Sequence, residues 1–213
     1  MIFRDRHDAG RRLAAALEKY RGADAVVLAI PRGGVVVGYE VATALGLPLD
    51  VIIPRKIGAP YQPELAIGAI CGDEYALDDQ TVKYLGVSQQ YIAEEIERQK
   101  QEIGRRWKLY RDDRPFPDLT GKTAILVDDG IATGYTTMAA ARAIRKENPA
   151  KLVLAVPTAP PESAARLRPE VDELIVLDTP EPFYAVGSWY EVFDQTTDDE
   201  VIELLRKTEN SKL

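Results

Sequence analysis

Residues 123–137, Thr-Ala-Ile-Leu-Val-Asp-Asp-Gly-Ile-Ala-Thr-Gly-Tyr-Thr-Thr, constrain the fold of this chain more than any other stretch. The apolar run at 124–127 is short and continuous, which is typical of a strand that a parallel sheet buries on both faces. Two acids end the run, a turn with glycine and hydroxyl residues follows, and an alanine-rich helix is expected to start near Thr136. The stretch therefore predicts the strand, turn and helix of an α/β domain.

The turn and the two acids indicate a ligand with two chemically different parts. The first backbone N–H groups of a helix have no partner inside the helix, and they bind phosphate. Asp128 and Asp129 cannot hold a phosphate, so ribose hydroxyls or a hydrated Mg²⁺ are their natural partners. A sugar that bears a phosphate satisfies both parts. The alternative is an ordinary strand, turn and helix with solvated acids.

The stretch resembles the signature with which type I phosphoribosyltransferases bind 5-phosphoribosyl-1-diphosphate (PRPP): four apolar residues, two acids, a three-residue spacer and Thr-Gly-x-Thr. The resemblance implies an α/β fold with a Rossmann-like parallel sheet flanked by helices. It also implies that Asp128 and Asp129 bind the ribose 2- and 3-hydroxyls, and that they hold Mg²⁺ directly or through water. The residues expected around the 5-phosphate are Ala132, Thr133, Gly134, Tyr135, Thr136 and Thr137.

A glycine turn, Pro31-Arg32-Gly33-Gly34, separates a predicted strand at 25–30 from a predicted helix at 35–45. Ligands collect at the carboxyl ends of strands in an open parallel sheet, so Arg32 and the amides of Gly33 and Gly34 are expected to face the same crevice as Asp128. In the family that the chain resembles, a residue before glycine in this loop donates its N–H to diphosphate, often through a cis peptide. The resemblance implies a cis bond at Arg32–Gly33. A plain turn is the alternative.

Two cations, Arg55 and Lys56, follow the next predicted strand at 49–53. Adenine-type members of the family carry a similar pair before a mobile loop that closes over the diphosphate. Residues 57–64 are expected to be that loop or its stump, because glycine and two prolines disfavour regular structure. A solvated surface pair is the alternative. A hairpin at 65–77 and a long helix at 89–110 complete an insertion at about 57–119 of a single domain, 1–213.

The segment at about 179–196 concentrates aromatic residues outside any predicted helix or strand. Such rings offer flat faces on which a heterocyclic base stacks. Phe183, Tyr184 and Trp189 are the expected base-binding residues of this hood-like segment, which is similar to the base cover of 6-oxopurine phosphoribosyltransferases. Those enzymes usually carry Asp where this chain has Ala132, and adenine-type members of the family resemble the chain at this position. The two resemblances point to different purines, so a purine is preferred and the acceptor base stays open. A satellite aromatic core under the last helix is the alternative.

Composition excludes several other classes of site. A single cysteine excludes an internal disulfide, and a single histidine excludes the usual zinc clusters and Cys–His catalytic pairs. The formal charge of −7 disfavours nonspecific nucleic-acid binding. The first residues are charged where a signal peptide needs an apolar core, and no run is long enough to span a membrane, so a cytoplasmic protein without a membrane partner is expected.

These observations lead to one main hypothesis for function. The chain is expected to be an enzyme of nucleotide salvage that moves the 5-phosphoribosyl group from PRPP-Mg²⁺ to a nitrogenous base, with Arg32, Asp128 and Asp129 as catalytic residues. A non-catalytic regulator that binds PRPP or a nucleotide is the alternative, and a generic nucleotide-binding α/β protein is a third. The apolar residues of the long helix favour a homo-oligomer such as a dimer. Thr197 and Glu200 predict a final helix, with a polar tail after Lys207.

Overall fold

The computed structural model describes residues 1–210. The strands are β1 (Ala25–Ala29), β2 (Leu49–Val51), β3 (Arg55–Ala59), β4 (Gln62–Cys71), β5 (Glu74–Leu77), β6 (Thr123–Val127), β7 (Lys151–Thr158) and β8 (Glu173–Asp178). The helices are α1 (Arg6–Ala16), α2 (Gly33–Leu45), α3 (Asp79–Leu85), α4 (Gln89–Arg111), α5 (Tyr135–Lys146), α6 (Pro161–Leu167) and α7 (Asp198–Asn210).

A parallel sheet of five strands forms the centre of the fold, in the order β2-β1-β6-β7-β8. This sheet and its flanking helices confirm the predicted α/β architecture. β1 and β6 pair in a register that ends with Ala29 opposite Val127. Beyond that pair, the Ile30 N–H donates to the Val127 carbonyl oxygen at 2.9 Å. The loops that begin at Pro31 and Asp128 therefore start side by side at one edge of the sheet.

Alternate residues of the central strands enter two apolar layers. On one face, α1, α2 and α7 cover side chains such as Val27, Ile125 and Val153. On the other face, α5 and α6 cover Leu126 and Leu154. All five side chains are fully buried. Burial on both faces explains why the strand sequences are continuously apolar instead of alternating.

The segment at 57–64 is part of a β-hairpin, so the expectation that it lacks regular structure was wrong. β3 pairs antiparallel with β4, and β4 pairs with β5, in a separate three-stranded sheet. The register shifts on both sides of Gly58, where an added Cβ would lie 2.5 Å from the Pro63 carbonyl oxygen. Gly58 and Pro63 lie at a bulge within the paired strands and do not end a strand. The hairpin predicted at 65–77 is confirmed by β4 and β5.

Helix α4 covers the small sheet and joins it to the central one. Ile92, Ile96 and Ile103 pack against the apolar cluster that contains Ile57. At the end of the helix, the buried Arg111 donates to both carboxylate oxygens of Asp50, at 2.7 and 2.9 Å. Most apolar residues of α4 are thus covered within the chain, and Leu109 is exposed at 39%, so the helix offers little of the apolar surface that favoured a homo-oligomer. Oligomerisation stays a prediction.

The last helix of the described chain, α7, begins with the predicted capping box, in which Thr197 and Glu200 exchange hydrogen bonds with each other's backbone N–H. The helix runs to Asn210, so the tail expected after Lys207 is helical up to that residue, and the rest of the tail lies outside the described residues. None of the helices between residues 1 and 210 is both long enough and apolar enough to cross a membrane.

Glu173, at the start of β8, joins three elements through one carboxylate. It accepts hydrogen bonds from Lys19 Nζ at 2.6 Å, Tyr20 Oη at 2.6 Å and Lys151 Nζ at 2.7 Å. These donors, Lys151 first, lower the pKa of Glu173 to about 2. A carboxyl with a lowered pKa in the folded state stabilises the fold above its unfolded-state pKa, and this stabilisation is lost as pH falls through the folded-state pKa.

Replacing Glu173 with Gln should therefore lower the free energy of unfolding at pH 7 by about 1–2 kcal/mol. The difference from the wild type should shrink below about pH 4.5 and be lost as pH falls through about 2, where the wild-type carboxylate becomes protonated. Urea unfolding across this pH range measures it. The exposed Glu203, replaced with Gln, is the control and should change stability little at any pH. A difference that stays constant from pH 7 to pH 3 contradicts the prediction.

Candidate active site

The two loops at the carboxyl edge of the sheet are in close contact. A Cβ added at Gly33 would lie 2.0 Å from Asp129 Oδ2, and one added at Gly34 would lie 2.9 Å from Asp128 Oδ1. Real Cβ atoms do not approach oxygen so closely, so any larger residue at these positions would require the two carboxyl groups to move. The structure thus brings the predicted diphosphate loop and the predicted ribose acids into one crevice.

The backbone of this loop contains a cis peptide at Pro31–Arg32. The sequence had predicted a cis bond at Arg32–Gly33, one bond later, and that prediction was wrong. Arg32 is already the N-cap of α2, with φ −96° and ψ −47°, and Gly33 is the first residue of the helix. A helix continues only through trans peptides, so the cis bond lies before the cap. The Arg32 side chain lines a cleft with Leu109, Gln195, Thr197, Asp198 and Asp199.

The acid pair is held by internal hydrogen bonds. Asp128 Oδ1 accepts from the Asp129 N–H at 2.8 Å, and Asp129 Oδ2 accepts from Arg6 Nε at 2.7 Å. Burial raises the pKa of Asp128 well above its ordinary value, and the charge of Asp129 raises it further. Burial also raises the pKa of Asp129, an effect that Arg6 partly offsets. Hydrogen-bond donors or a cation placed against the pair would favour its charged form.

The turn after the acids leads into α5 as predicted. Gly134 has φ +86°, which favours glycine, and α5 begins at the next residue, Tyr135. Helix α6 supports the turn from outside, because Ser163 Oγ donates to the Ala132 carbonyl oxygen and Arg166 donates to that of Thr133, each at 2.6 Å. The first backbone N–H groups of α5 have no partner inside the helix, so they are available to an anion. The Thr136 side chain is half-buried and that of Thr137 is buried.

The two cations predicted to hold diphosphate lie on β3. Arg55 is half-buried against α4, and its Nε donates to Gln99 Oε1 at 3.1 Å. Burial lowers the pKa of Arg55, and the nearby Arg106 lowers it further. The Lys56 side chain is exposed. The structure therefore brings Arg55 to α4, a helix to which the sequence assigned no chemistry.

The aromatic segment is paired with the N-terminal residues of the chain. The Phe3 N–H donates to the Trp189 carbonyl oxygen at 2.9 Å, and the Glu191 N–H donates to the Phe3 carbonyl oxygen at 2.8 Å. The Phe3 and Tyr190 rings pack at a centroid distance of 5.5 Å, in a cluster with Ala9. This part of the segment is a small aromatic core, but it forms beside α1 and not under the last helix.

The three residues predicted to bind a base lie at the accessible side of this segment. Phe183 and Trp189 have ring centroids 6.1 Å apart, and Tyr184 is 83% exposed. Phe183 and Tyr184 line a cavity of about 310 Å³ together with Ala132, Thr133 and Tyr135 of the turn, and Asp78, Pro160, Glu162 and Arg166. Two of the predicted base-binding residues thus share a cavity with the predicted phosphate turn.

Comparison with known proteins identifies the family. The sequence model described as the phosphoribosyl transferase domain matches residues 4–184. The chain belongs to this family. The match spans β1 to β8 and includes both crevice loops, so the family assignment and the site geometry concern the same part of the chain.

Individual relatives of this phosphoribosyl transferase domain support the assignment. A protein of Mycobacterium tuberculosis named "Putative phosphoribosyl transferase" is 46% identical over 207 residues, which are 96% of this chain and 46% of that protein. The chain therefore spans about half the length of that relative. The crystal structure of TT1426 from Thermus thermophilus is 42% identical, with a TM-score of 0.80 over 97% of this chain and 99% of that one. A hypothetical protein from Neisseria gonorrhoeae with bound ppGpp, 16% identical with a TM-score of 0.53 over 97% and 96% of the two chains, shows the fold alone.

Four residues that contact the site were not predicted. They are Arg6, Ser163, Arg166 and Tyr190, whose hydroxyl donates to the Asp129 carbonyl oxygen. Tyr190 lies in the aromatic segment, so the sequence indicated an aromatic residue near the site without singling out this one. The other three have no local signal, because an arginine or serine on a charged surface helix looks the same whether or not it reaches a distant loop.

The close contact at Gly33 generates a direct prediction. Gly33→Ala would press a methyl group against Asp129 and Arg6, and it should destabilise the crevice by about 1–3 kcal/mol and weaken ligand binding there. Gly104→Ala is the control, since this exposed helical glycine has no neighbour within 4 Å of an added Cβ and no positive φ. That variant should gain about 0.5–1 kcal/mol. Denaturant unfolding of both variants measures the change in the free energy of unfolding. Equal changes for the two variants would contradict the prediction.

Proposed function

We propose that this domain transfers the 5-phosphoribosyl group from PRPP-Mg²⁺ to a nitrogen of a base and releases diphosphate. The observation that carries the proposal is the contact between the two loops, in which Gly33 packs against Asp129 and Gly34 against Asp128. It sets the N-terminus of α2 beside the acid pair, and the N-terminus of α5 follows the same pair along the chain. The two helix N-termini are anion sites, and the carboxylates between them accept hydrogen bonds from hydroxyl groups. This arrangement suits a ribose with phosphate groups on C1 and C5.

Each part of PRPP has a proposed set of residues. Asp128 and Asp129 accept hydrogen bonds from the ribose hydroxyls, and the turn from Ala132 to Thr137 binds the 5-phosphate through the first amides of α5. The backbone N–H groups of Arg32, Gly33 and Gly34 bind the diphosphate at the start of α2. Arg55 and Lys56 add positive charge on that side in the proposal, although Arg55 also contacts Gln99.

The proposed reaction breaks the bond between ribose C1 and a diphosphate oxygen and forms a bond between C1 and the base nitrogen. Diphosphate leaves with the bonding electrons, so positive charge develops on the ribose ring, and the base nitrogen that bonds to C1 loses its proton to solvent. The residues named above contribute by positioning the ribose and by stabilising the charge on the leaving group. The chemistry needs exclusion of water more than a strong base, because water competes with the base for C1.

The acid pair fits a Mg²⁺ ion that arrives with the substrate. Within residues 1–210 no group of three or more His, Cys, Asp or Glu side chains could hold a metal by itself. Mg²⁺ usually takes one or two carboxylates and obtains its other ligands from phosphates and water, and Asp128 with Asp129 offers that number. When bound, Mg²⁺ would neutralise charge on the diphosphate and make it a better leaving group.

The proposed acceptor is a purine that stacks on the aromatic segment. Phe183 and Tyr184 line the cavity beside the phosphate turn, and the Trp189 ring lies next to Phe183. Its Nε1 is buried without a hydrogen-bond partner in the described part of the chain, so the indole contributes an apolar face and not an accessible donor. Ala132 provides no carboxylate at the position where the resembled 6-oxopurine enzymes have Asp. The base must therefore be assigned by a panel of purines and pyrimidines.

A second candidate is a non-catalytic regulator of the same fold that binds PRPP or a nucleotide. One observation favours it: the residues expected to close over the diphosphate are paired in the β3–β4 hairpin. A paired hairpin is less free to close than a loop, and an open diphosphate site admits water. This candidate predicts PRPP binding without turnover.

Diphosphate release from PRPP-Mg²⁺, measured across the panel of bases alongside PRPP binding by calorimetry, separates the two candidates. Release that depends on one base supports the transferase. Binding without release for any base supports the regulator. No preference for PRPP over ATP contradicts both and leaves a generic nucleotide-binding protein.

Replacing Asp128 and Asp129 together with Asn should weaken PRPP-Mg²⁺ binding by more than about 100-fold, since two charge-assisted hydrogen bonds are lost. Asp112→Asn with Asp113→Asn is a matched control, because these neighbouring acids are exposed at the end of α4. The control should bind like the wild type in the same calorimetric titration. Normal binding by the first double variant would show that the ribose site is assigned to the wrong acids.

Removing Mg²⁺ with EDTA should weaken PRPP binding by at least about 10-fold, because the diphosphate loses its counter-charge. Ribose 5-phosphate has no diphosphate, so its affinity should change by less than about twofold. Calorimetric titration of both ligands, with and without EDTA, tests this difference. Equal Mg²⁺ dependence for the two ligands contradicts the proposed position of the ion.

A further inference from the structure

Arg6, the first residue of α1, reaches the centre of the crevice from the N-terminal end of the chain. Its Nε donates to Asp129 Oδ2 at 2.7 Å, and its side chain is 12% exposed. A second nitrogen donates to the Asp194 carbonyl oxygen at 2.6 Å, and the guanidinium lies over the Phe193 ring at 3.9 Å from its centroid. Two hydrogen bonds and one ring contact therefore fix the plane of the guanidinium.

The same guanidinium lies against the glycine loop. A Cβ added at Gly33 would lie 2.6 Å from Arg6 Nε as well as 2.0 Å from Asp129 Oδ2. The ion pair therefore fills the space beside the start of α2. Arg6 thus contacts the acid pair, the glycine loop and the aromatic segment at once.

We propose that Arg6 is a positioning residue, which orients the Asp129 carboxylate toward the ribose and ties it to the segment at 190–194. The inference rests on the proposed function, because the ligand that Asp129 would bind is PRPP. The hydrogen bond from Arg6 to Oδ2 fixes the rotation of the Asp129 carboxyl group. Because this group is planar, the position of Oδ1 is fixed as well. A carboxylate that is already oriented binds a hydroxyl at a lower entropy cost than a freely rotating one.

The restraints on Arg6 require a guanidinium and not only a positive charge. Its planar group donates in two directions while it stacks on Phe193. A lysine ammonium is a compact charge on a flexible side chain. It cannot donate in the same two directions while stacking flat on a ring. A role in stability alone is a weaker explanation, since the desolvation cost of a buried ion pair offsets most of its Coulomb attraction.

A thermodynamic cycle on PRPP-Mg²⁺ binding tests the inference. The variants are Arg6→Lys, Arg6→Gln, Asp129→Asn and the double variant Arg6→Gln with Asp129→Asn, each with its melting temperature measured. Arg11→Gln is the matched control, because Arg11 lies on the same helix, is 49% exposed and has its acidic partner, Glu40, 3.9 Å away. Calorimetry gives the affinities, and saturation-transfer NMR extends the measurement to weak binders.

We expect Arg6→Gln and Arg6→Lys each to weaken PRPP-Mg²⁺ binding by about 10-fold or more, and Arg11→Gln to leave it unchanged. In the Asp129→Asn background, Arg6→Gln should change the affinity by less than about twofold, because Arg6 acts through Asp129. Arg6→Lys should melt close to the wild type, so that its weaker binding is separate from folding. It also carries the test if Arg6→Gln does not fold.

Two results overturn the inference while the proposed function stands: additive losses in the cycle, or wild-type binding by Arg6→Lys. Failure of the wild-type protein to bind PRPP-Mg²⁺ is a different result. It overturns the proposed function, and the positioning role of Arg6 toward PRPP falls with it.

Discussion

The parallel pairing of β1 with β6 is the interaction on which the rest of the site depends. Because the register ends with Ala29 opposite Val127, the chain leaves both strands at the same level of the sheet. A shift of one residue would exchange the two faces of β6 and carry Asp128 away from Gly34. The approach also needs glycine, since a side chain at Gly33 or Gly34 would occupy the space of the carboxyl groups. Register and glycine together create the crevice.

The electrostatics of the crevice differ from those of the whole chain. A formal charge of −7 repels a polyanion at long range, so attraction must come from local groups. The N-termini of α2 and α5 supply partial positive charge on either side of the acid pair. Between them, burial raises the pKa of both acids, and Arg6 compensates the charge of Asp129. An anion bound as proposed would therefore lie near two positive helix ends and near an acid pair that carries one ion pair, between Arg6 and Asp129.

The sequence predicted those parts of the site that short stretches of chain determine. The apolar run at 124–127, the two acids and Gly134 lie within 15 residues of one another. They indicate β6, the turn and α5 without information from distant segments. The β3–β4 hairpin was missed because Gly58 and Pro63 have the same appearance in a bulge as in a loop. Arg6 and Asp129 are separated by 123 positions, and only the folded chain distinguishes Arg6 from the exposed Arg4 and Arg11.

One side of the crevice is formed by buried residues and the other by exposed ones. On the sheet side, Gly34 and Thr137 are buried, and Tyr190 joins the Phe3 cluster to the Asp129 carbonyl. On the other side, Ala132, Thr133 and Tyr184 are exposed. In the proposed function the ribose would thus meet a fixed surface, whereas the base would enter from solvent between the turn and the aromatic segment. The hairpin of β3 and β4 is held by its own ladder, whereas residues 179–189 have short turns and exposed side chains in place of a sheet, which suits the base-covering role proposed for this segment.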